Sequence, residues 1–109
     1  MEIFDSAIRT KGDLAGVFEY EDTGPQEATA HFYLYRAEGE TAGSILDVIH
    51  VRSGHWAITE ADVAVRWDGS EQRVGLFVFG TLVAALDAAA GTKYGGGYGK
   101  DFNAEIPWS

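Results

Sequence analysis

Two stretches of the chain alternate apolar and polar side chains with a period of two, a pattern that suits a strand whose faces meet different surroundings. In Ala28 to Arg36, Ala28, Ala30, Phe32 and Leu34 occupy one face and Thr29, His31, Tyr33 and Tyr35 the other. Ala61 to Asp68 carries the clearest alternation: Ala61, Val63, Val65 and Trp67 are expected in the core, with Asp62, Ala64, Arg66 and Asp68 opposite. No segment except 81–90 has helical patterning, so the chain is expected to be all-β.

Other strands follow from their borders. Leu14 to Tyr20 ends at the turn formers Glu21-Asp22-Thr23-Gly24-Pro25. Ser44 to Arg52 is rich in β-branched residues, with Ile45, Asp47, Ile49 and Val51 opposite Leu46, Val48, His50 and Arg52, so it carries apolar groups on both sides. Arg73 to Phe79 runs into Gly80-Thr81, a Gly-first pair suited to a two-residue hairpin loop that sets Phe79 against Leu82, Phe77 against Ala84 and Gly75 against Leu86. Thr81 to Gly91 also fits an Ala-rich helix with a Thr cap and a Gly stop. The strand is favoured because the preceding strand needs an antiparallel neighbour, with residues 88–90 left as a short helical turn. Arg73 and Asp87 flank an uncharged, β-prone run and look like charges guarding it against edge pairing.

Gly91 to Lys100 has five glycines in ten residues and is expected to be a loop, after which Phe102, Ile106, Pro107 and Trp108 return apolar groups that dock on the core. The sum is a single all-β domain over residues 1–109. It is an antiparallel meander of about six strands, sandwich-like or a partly closed barrel, with a Gly-rich C-terminal loop.

Charge narrows the partners. Seventeen acidic against eight basic residues give a net charge of −9 in 109 residues, the wrong sign for nucleic acid or an anionic membrane. A charged partner is expected to be basic. The longest nearly uncharged stretch, Val74 to Leu86, falls short of the roughly 20 apolar residues that span a bilayer. With no cysteine and no secretory signal in Met1-Glu2-Ile3-Phe4-Asp5, the expected setting is cytoplasmic.

Motifs for chemistry are weak. In the tail, Tyr94 stands where a phosphate loop needs its first glycine and Asp101 where it needs a hydroxyl, so no nucleotide or other cofactor is expected. His31, His50 and His55 lack the paired spacing of a metal motif, and Asp47 and His50, three apart in one strand, point to opposite faces. No metal site is expected. None of Ser6, Ser44, Ser53 or Ser70 lies in a nucleophile elbow, so no catalytic residue is assigned and the chain leans away from being an enzyme. More informative is the row Thr29, His31, Tyr33, Tyr35, because tyrosines bring contact area with a polar tip.

The runs Val17-Phe18-Glu19-Tyr20-Glu21-Asp22-Thr23-Gly24, His31-Phe32-Tyr33-Leu34-Tyr35, Ile45-Leu46-Asp47-Val48-Ile49-His50-Val51, Val65-Arg66-Trp67, Gly75-Leu76-Phe77-Val78-Phe79-Gly80 and Tyr98-Gly99-Lys100-Asp101-Phe102-Asn103 come in an order that resembles a family of small uncharacterised bacterial single-domain proteins, a domain of unknown function. The resemblance covers about residues 14–109. It implies an all-β domain with a hairpin at Gly80 and brings no activity, cofactor or catalytic residue.

These observations together point to a non-enzymatic bacterial protein-binding module, of the kind an immunity protein makes with a basic toxin. His31, Tyr33 and Tyr35 are its expected contact residues, with Glu38 and Glu40 as peripheral acids. The alternative is a small-ligand-binding or hydrolytic β-barrel with a Tyr/His/carboxylate pocket.

Overall fold

Residues 2–24, 27–39, 42–95 and 108 are described by a computed structural model. Their strands are β1 (Glu2–Ile8), β2 (Leu14–Glu21), β3 (Thr29–Arg36), β4 (Ile45–Ser53), β5 (Val63–Trp67), β6 (Arg73–Val78), β7 (Thr81–Asp87) and β8 (Thr92–Gly95). Each half of the chain forms a four-stranded antiparallel meander, β1-β2-β3-β4 and β5-β6-β7-β8. Neither sheet closes into a barrel. They face each other as a sandwich, since Phe18, Tyr20, Phe32, Leu34, Ile49 and Val51 of the first share one buried cluster with Val63, Val65, Val74, Leu76, Val78 and Leu86 of the second. No helix among the described residues is long and apolar enough to cross a membrane.

The all-β antiparallel class is as expected, but the described residues form eight strands where the sequence suggests about six. β1 escapes the periodicity argument because Ile3, Asp5 and Ala7 face the core while Phe4 and Ile8 face outward. With an acid inside and apolar groups outside, its pattern does not read as amphipathic. β8 corrects the loop expected over Gly91 to Lys100. Thr92–Gly95 pairs with β7 as Asp87↔Thr92, Leu86↔Lys93, Ala85↔Tyr94 and Ala84↔Gly95. A Cβ on Gly95 would run into the Val83 carbonyl oxygen and Ala84, so this glycine permits a close backbone approach that a larger residue would obstruct. The rest of that loop, Gly96 to Lys100, lies outside the described residues, as do Phe102, Ile106 and Pro107. Trp108 packs edge-on to Phe77, ring centroids 5.3 Å apart, and stands over Gly75.

The β6–β7 hairpin exists, with its loop one residue earlier than expected. Phe79 and Gly80 form it, with φ of 51° and 77°. Two successive positive φ values match the turn whose twist suits a two-residue hairpin. Val78 therefore faces Thr81 and Phe77 faces Leu82 where Ala84 is expected, and a bulge at Val83 then sets Leu76↔Ala84, Gly75↔Ala85 and Val74↔Leu86 in place of the expected Gly75↔Leu86, keeping Leu76, Ala84, Val74 and Leu86 in the core. The strand reading of 81–87 holds. Beyond it Gly91 N–H bonds the Asp87 carbonyl, which closes the expected short turn.

Two further expectations need correction. Ala61 is exposed, because the Asp62 carboxylate accepts from the Thr59 N–H and hydroxyl and holds residues 60–62 in a 3₁₀ turn, so β5 begins at Val63. Asp87 is a buried structural group. It caps the N–H groups of Ala89 and Ala90 and lies 3.3 Å from Arg73 Nε, and Arg73 reaches on to the buried Asp68.

Candidate functional site

In an antiparallel sheet, register partners project from the same face. On the outer face of the first sheet this stacks three rungs across all four strands. Phe4, Glu19, His31 and His50 form one; Ser6, Val17, Tyr33 and Val48 the next; Ile8, Ala15, Tyr35 and Ile45 the third. Thr29, paired with Glu21 and Ser53, continues the face beyond the first rung. β3 carries it because its alternation is strict: Ala30, Phe32 and Leu34 are buried inward while His31, Tyr33 and Tyr35 are half-buried on the outside.

β4 reaches the face differently. Ala30 pairs with Arg52 but His31 with His50, and Leu34 with Asp47 but Tyr35 with Ile45, so β4 carries an extra residue at Val51 and again at Leu46. The second bulge puts Ile45 on the same face as Val48 and His50. The outcome is a surface with large apolar groups in solvent: Phe4 is 51% exposed, Ile8 57%, Ile45 59% and Val48 42%. Ala15 and Val17 are buried on this same outer side, sheltered in the middle of the rungs. Scattered apolar residues on a surface are ordinary, whereas a contiguous patch marks a contact site.

Polar chemistry is concentrated around Glu19. The Tyr33 hydroxyl donates to its carboxylate at 2.7 Å. Burial, followed by that bond and the negative charge behind it, raises the Tyr33 pKa well above the ordinary phenol value, so the hydroxyl stays protonated. His31 and His50 stand side by side with ring centroids 5.1 Å apart. Burial lowers the His31 pKa, the His50 charge lowers it further, and Glu19 opposes both. His50 Nε2 lies 2.9 Å from the Ser53 hydroxyl.

The structure thus brings three of the five expected contact residues, His31, Tyr33 and Tyr35, onto one face. Glu38 is exposed in the turn after β3, off the rungs, and Glu40 lies outside the described residues. Phe4, Ile8, Glu19, Ile45, Val48 and His50 join the face unannounced by the periodicity of β3. Their signal is strand register, which a single strand's pattern does not contain.

The third histidine belongs elsewhere. His55 Nδ1 lies 2.7 Å from an Asp22 carboxylate oxygen that also accepts from the Tyr20 hydroxyl. Tyr20 in turn accepts the Trp56 N–H at 2.8 Å. Trp56 is buried edge-on to both Phe18 and Tyr20, a plug on the core. The His55 bond, then the Tyr20 bond, lower the Asp22 pKa against the effect of burial. Among the described residues no group of three or more histidines and acids is arranged to hold a metal ion. No family model, curated protein or solved structure matches the chain.

Proposed function

We propose that the chain is a non-enzymatic protein-binding module of the bacterial cytoplasm, and that the outer face of the β1–β4 sheet holds a basic protein partner as an immunity protein would. One observation carries this reading. Tyr33 and Tyr35 stand half-buried on the outer face between Ala15 and Val17 on one side and the exposed Val48 and Ile45 on the other. Aromatic anchors set in apolar surroundings hold most of the energy of protein interfaces. The net charge of −9 supports a basic partner, and a sequence without cysteine suits a reducing compartment.

The same geometry favours this reading over a small-ligand or hydrolytic site. The Tyr33 hydroxyl is engaged by Glu19, and the histidines and tyrosines are strung along strands on an outer sheet surface. The test is affinity capture from native lysate at low salt with the native chain and with a Tyr35→Ala, Val48→Asp variant. A protein retained by the first, lost from the second and associating more slowly as salt rises is the expected result. Equal retention by both chains, or a partner whose association ignores salt, overturns the reading.

A further inference from the structure

The outer face of the first sheet changes character along its strands. At one end Glu2 and Glu21 are register partners, both exposed, and neither forms an ion pair among the described residues. Like charges directly opposite each other weaken a sheet, so this pair opposes the fold that contains it. Glu19, the next outward-facing residue along β2, adds a third carboxylate. At the other end stand Ile8, Tyr35 and Ile45. The chain near that end mixes Arg9, Lys11 and Arg36 with Asp13 and Glu38 and has no comparable excess of acid.

We propose that the partner is a protein segment of two-part chemistry held in one orientation, its apolar side chains over Tyr35 and Ile45 and a lysine or arginine between Glu2 and Glu21. This rests on the protein-binding reading of the face. A cation between the two carboxylates converts a repulsive pair into a bridged one, so charge complementarity assigns that end. A second copy of the chain fits less well. Each copy carries −9, so two copies repel each other and neither brings a cationic excess to the Glu2–Glu21 end.

The probe is a synthetic peptide with lysines in its first third, alternating valine and threonine in the remainder, and a nitroxide at the lysine end. It is titrated into the isotopically labelled full chain at low salt. The expected result is amide shifts along the outer face, with paramagnetic broadening strongest at Glu2, Glu21 and Thr29. Glu21→Lys should weaken the peptide about tenfold and yet raise the thermal midpoint, because it replaces a like-charge cross-strand pair with an attractive one. Broadening centred on Ile8 and Ile45, or unaltered affinity in Glu21→Lys, overturns the oriented mode while the face remains a binding surface. Face shifts that appear on concentrating the chain alone assign the surface to a second copy and overturn the proposal. No shift on the face at any peptide concentration overturns both the orientation and the protein-binding reading.

Discussion

Gly16 of β2 lies directly against Val74 of β6 across the sandwich: a Cβ on Gly16 would overlap both Val74 methyl groups and approach Val65 Cγ1 to 3.2 Å. The sheets meet here without a side chain on one side. Packed interiors absorb an added methyl only by displacing neighbours. Gly16→Ala is therefore expected to cost about 1–3 kcal/mol, read as a lower urea midpoint with unchanged slope. Adding Val74→Ala should recover part of the loss, because the two sites share one space. An unchanged midpoint in Gly16→Ala would mean the sheets separate freely.

Phe79 holds a φ of 51° in the β6–β7 turn and is 60% exposed. The left-handed region costs an ordinary residue roughly 1–2 kcal/mol, and asparagine less. Phe79→Asn keeps the N–H that donates to the Asp62 carbonyl at 2.7 Å and gives up little burial. It should raise stability by about 1 kcal/mol, seen as a higher thermal midpoint. A lower midpoint would show that the exposed ring contributes more than the strain it imposes.

Asp87→Val should reduce stability by about 2–4 kcal/mol, since it leaves two N–H groups uncapped and removes one of the two carboxylates around Arg73. Asp87→Asn keeps an acceptor for the cap and should lose less. If Asp87→Val instead lowers refolding yield with the denaturation midpoint intact, the residue serves as a guard against aggregation alone.

Asp13 and His31 contribute to stability in separate acid windows. The Arg9 guanidinium, bonded to both Asp13 oxygens at 2.6 and 2.7 Å, holds that carboxyl down to about 2, against an ordinary 3.8. A depressed folded pKa means the unfolded chain takes the proton first, so this stabilisation is complete above the ordinary value and lost as pH falls through about 2. His31 is depressed below 6.5 by burial, so its contribution is complete above 6.5 and lost as pH falls through its lower folded value. In a series of urea midpoints against pH, His31→Gln should flatten the upper window and Asp13→Asn the lower. If neither variant changes the profile, other groups control acid sensitivity.

At the outer face, Tyr35→Ala should speed partner release, because desolvated aromatic anchors govern dissociation. Glu38→Gln should chiefly slow association at low salt, since exposed charges steer encounter over distances that salt screens beyond about 8–10 Å. Surface plasmon resonance with the captured partner separates the two rates. Equal effects on both rates in either variant would defeat the division of labour.

How far the sequence reaches can be judged on β3 and β4. His31, Tyr33 and Tyr35 are legible as one row because a single strand with a period of two sorts its own side chains. Their neighbours are not. Glu19 and Val17 arrive by pairing with β2, and Ile45 joins Val48 and His50 only because an extra residue at Leu46 reverses the alternation. A bulge leaves no mark in composition and shifts every side chain beyond it to the other face. β8 escapes for the opposite reason: Gly95, one of the glycines that signal a loop, permits a close backbone approach to Val83 and Ala84. Asp87 reads as a guarding charge because Arg73 reaches it only after the hairpin forms, although its cap on the N–H groups of 89 and 90, two and three residues on, is local.

On β1 the Ala7 carbonyl accepts the Trp67 indole N–H, and on β5 the Val65 N–H is taken by the Asp5 carboxylate, each at 2.8 Å. On the far side Lys93 Nζ donates to the Val48 carbonyl of β4 at 3.2 Å. Outer strands ordinarily offer a row of backbone groups to any passing chain, whatever its sequence. Here side chains have claimed places in those rows, which discourages a newcomer from simply lengthening a sheet. At these points recognition is shifted from backbone toward side chains, so a visitor is read by the shapes and charges of the rungs.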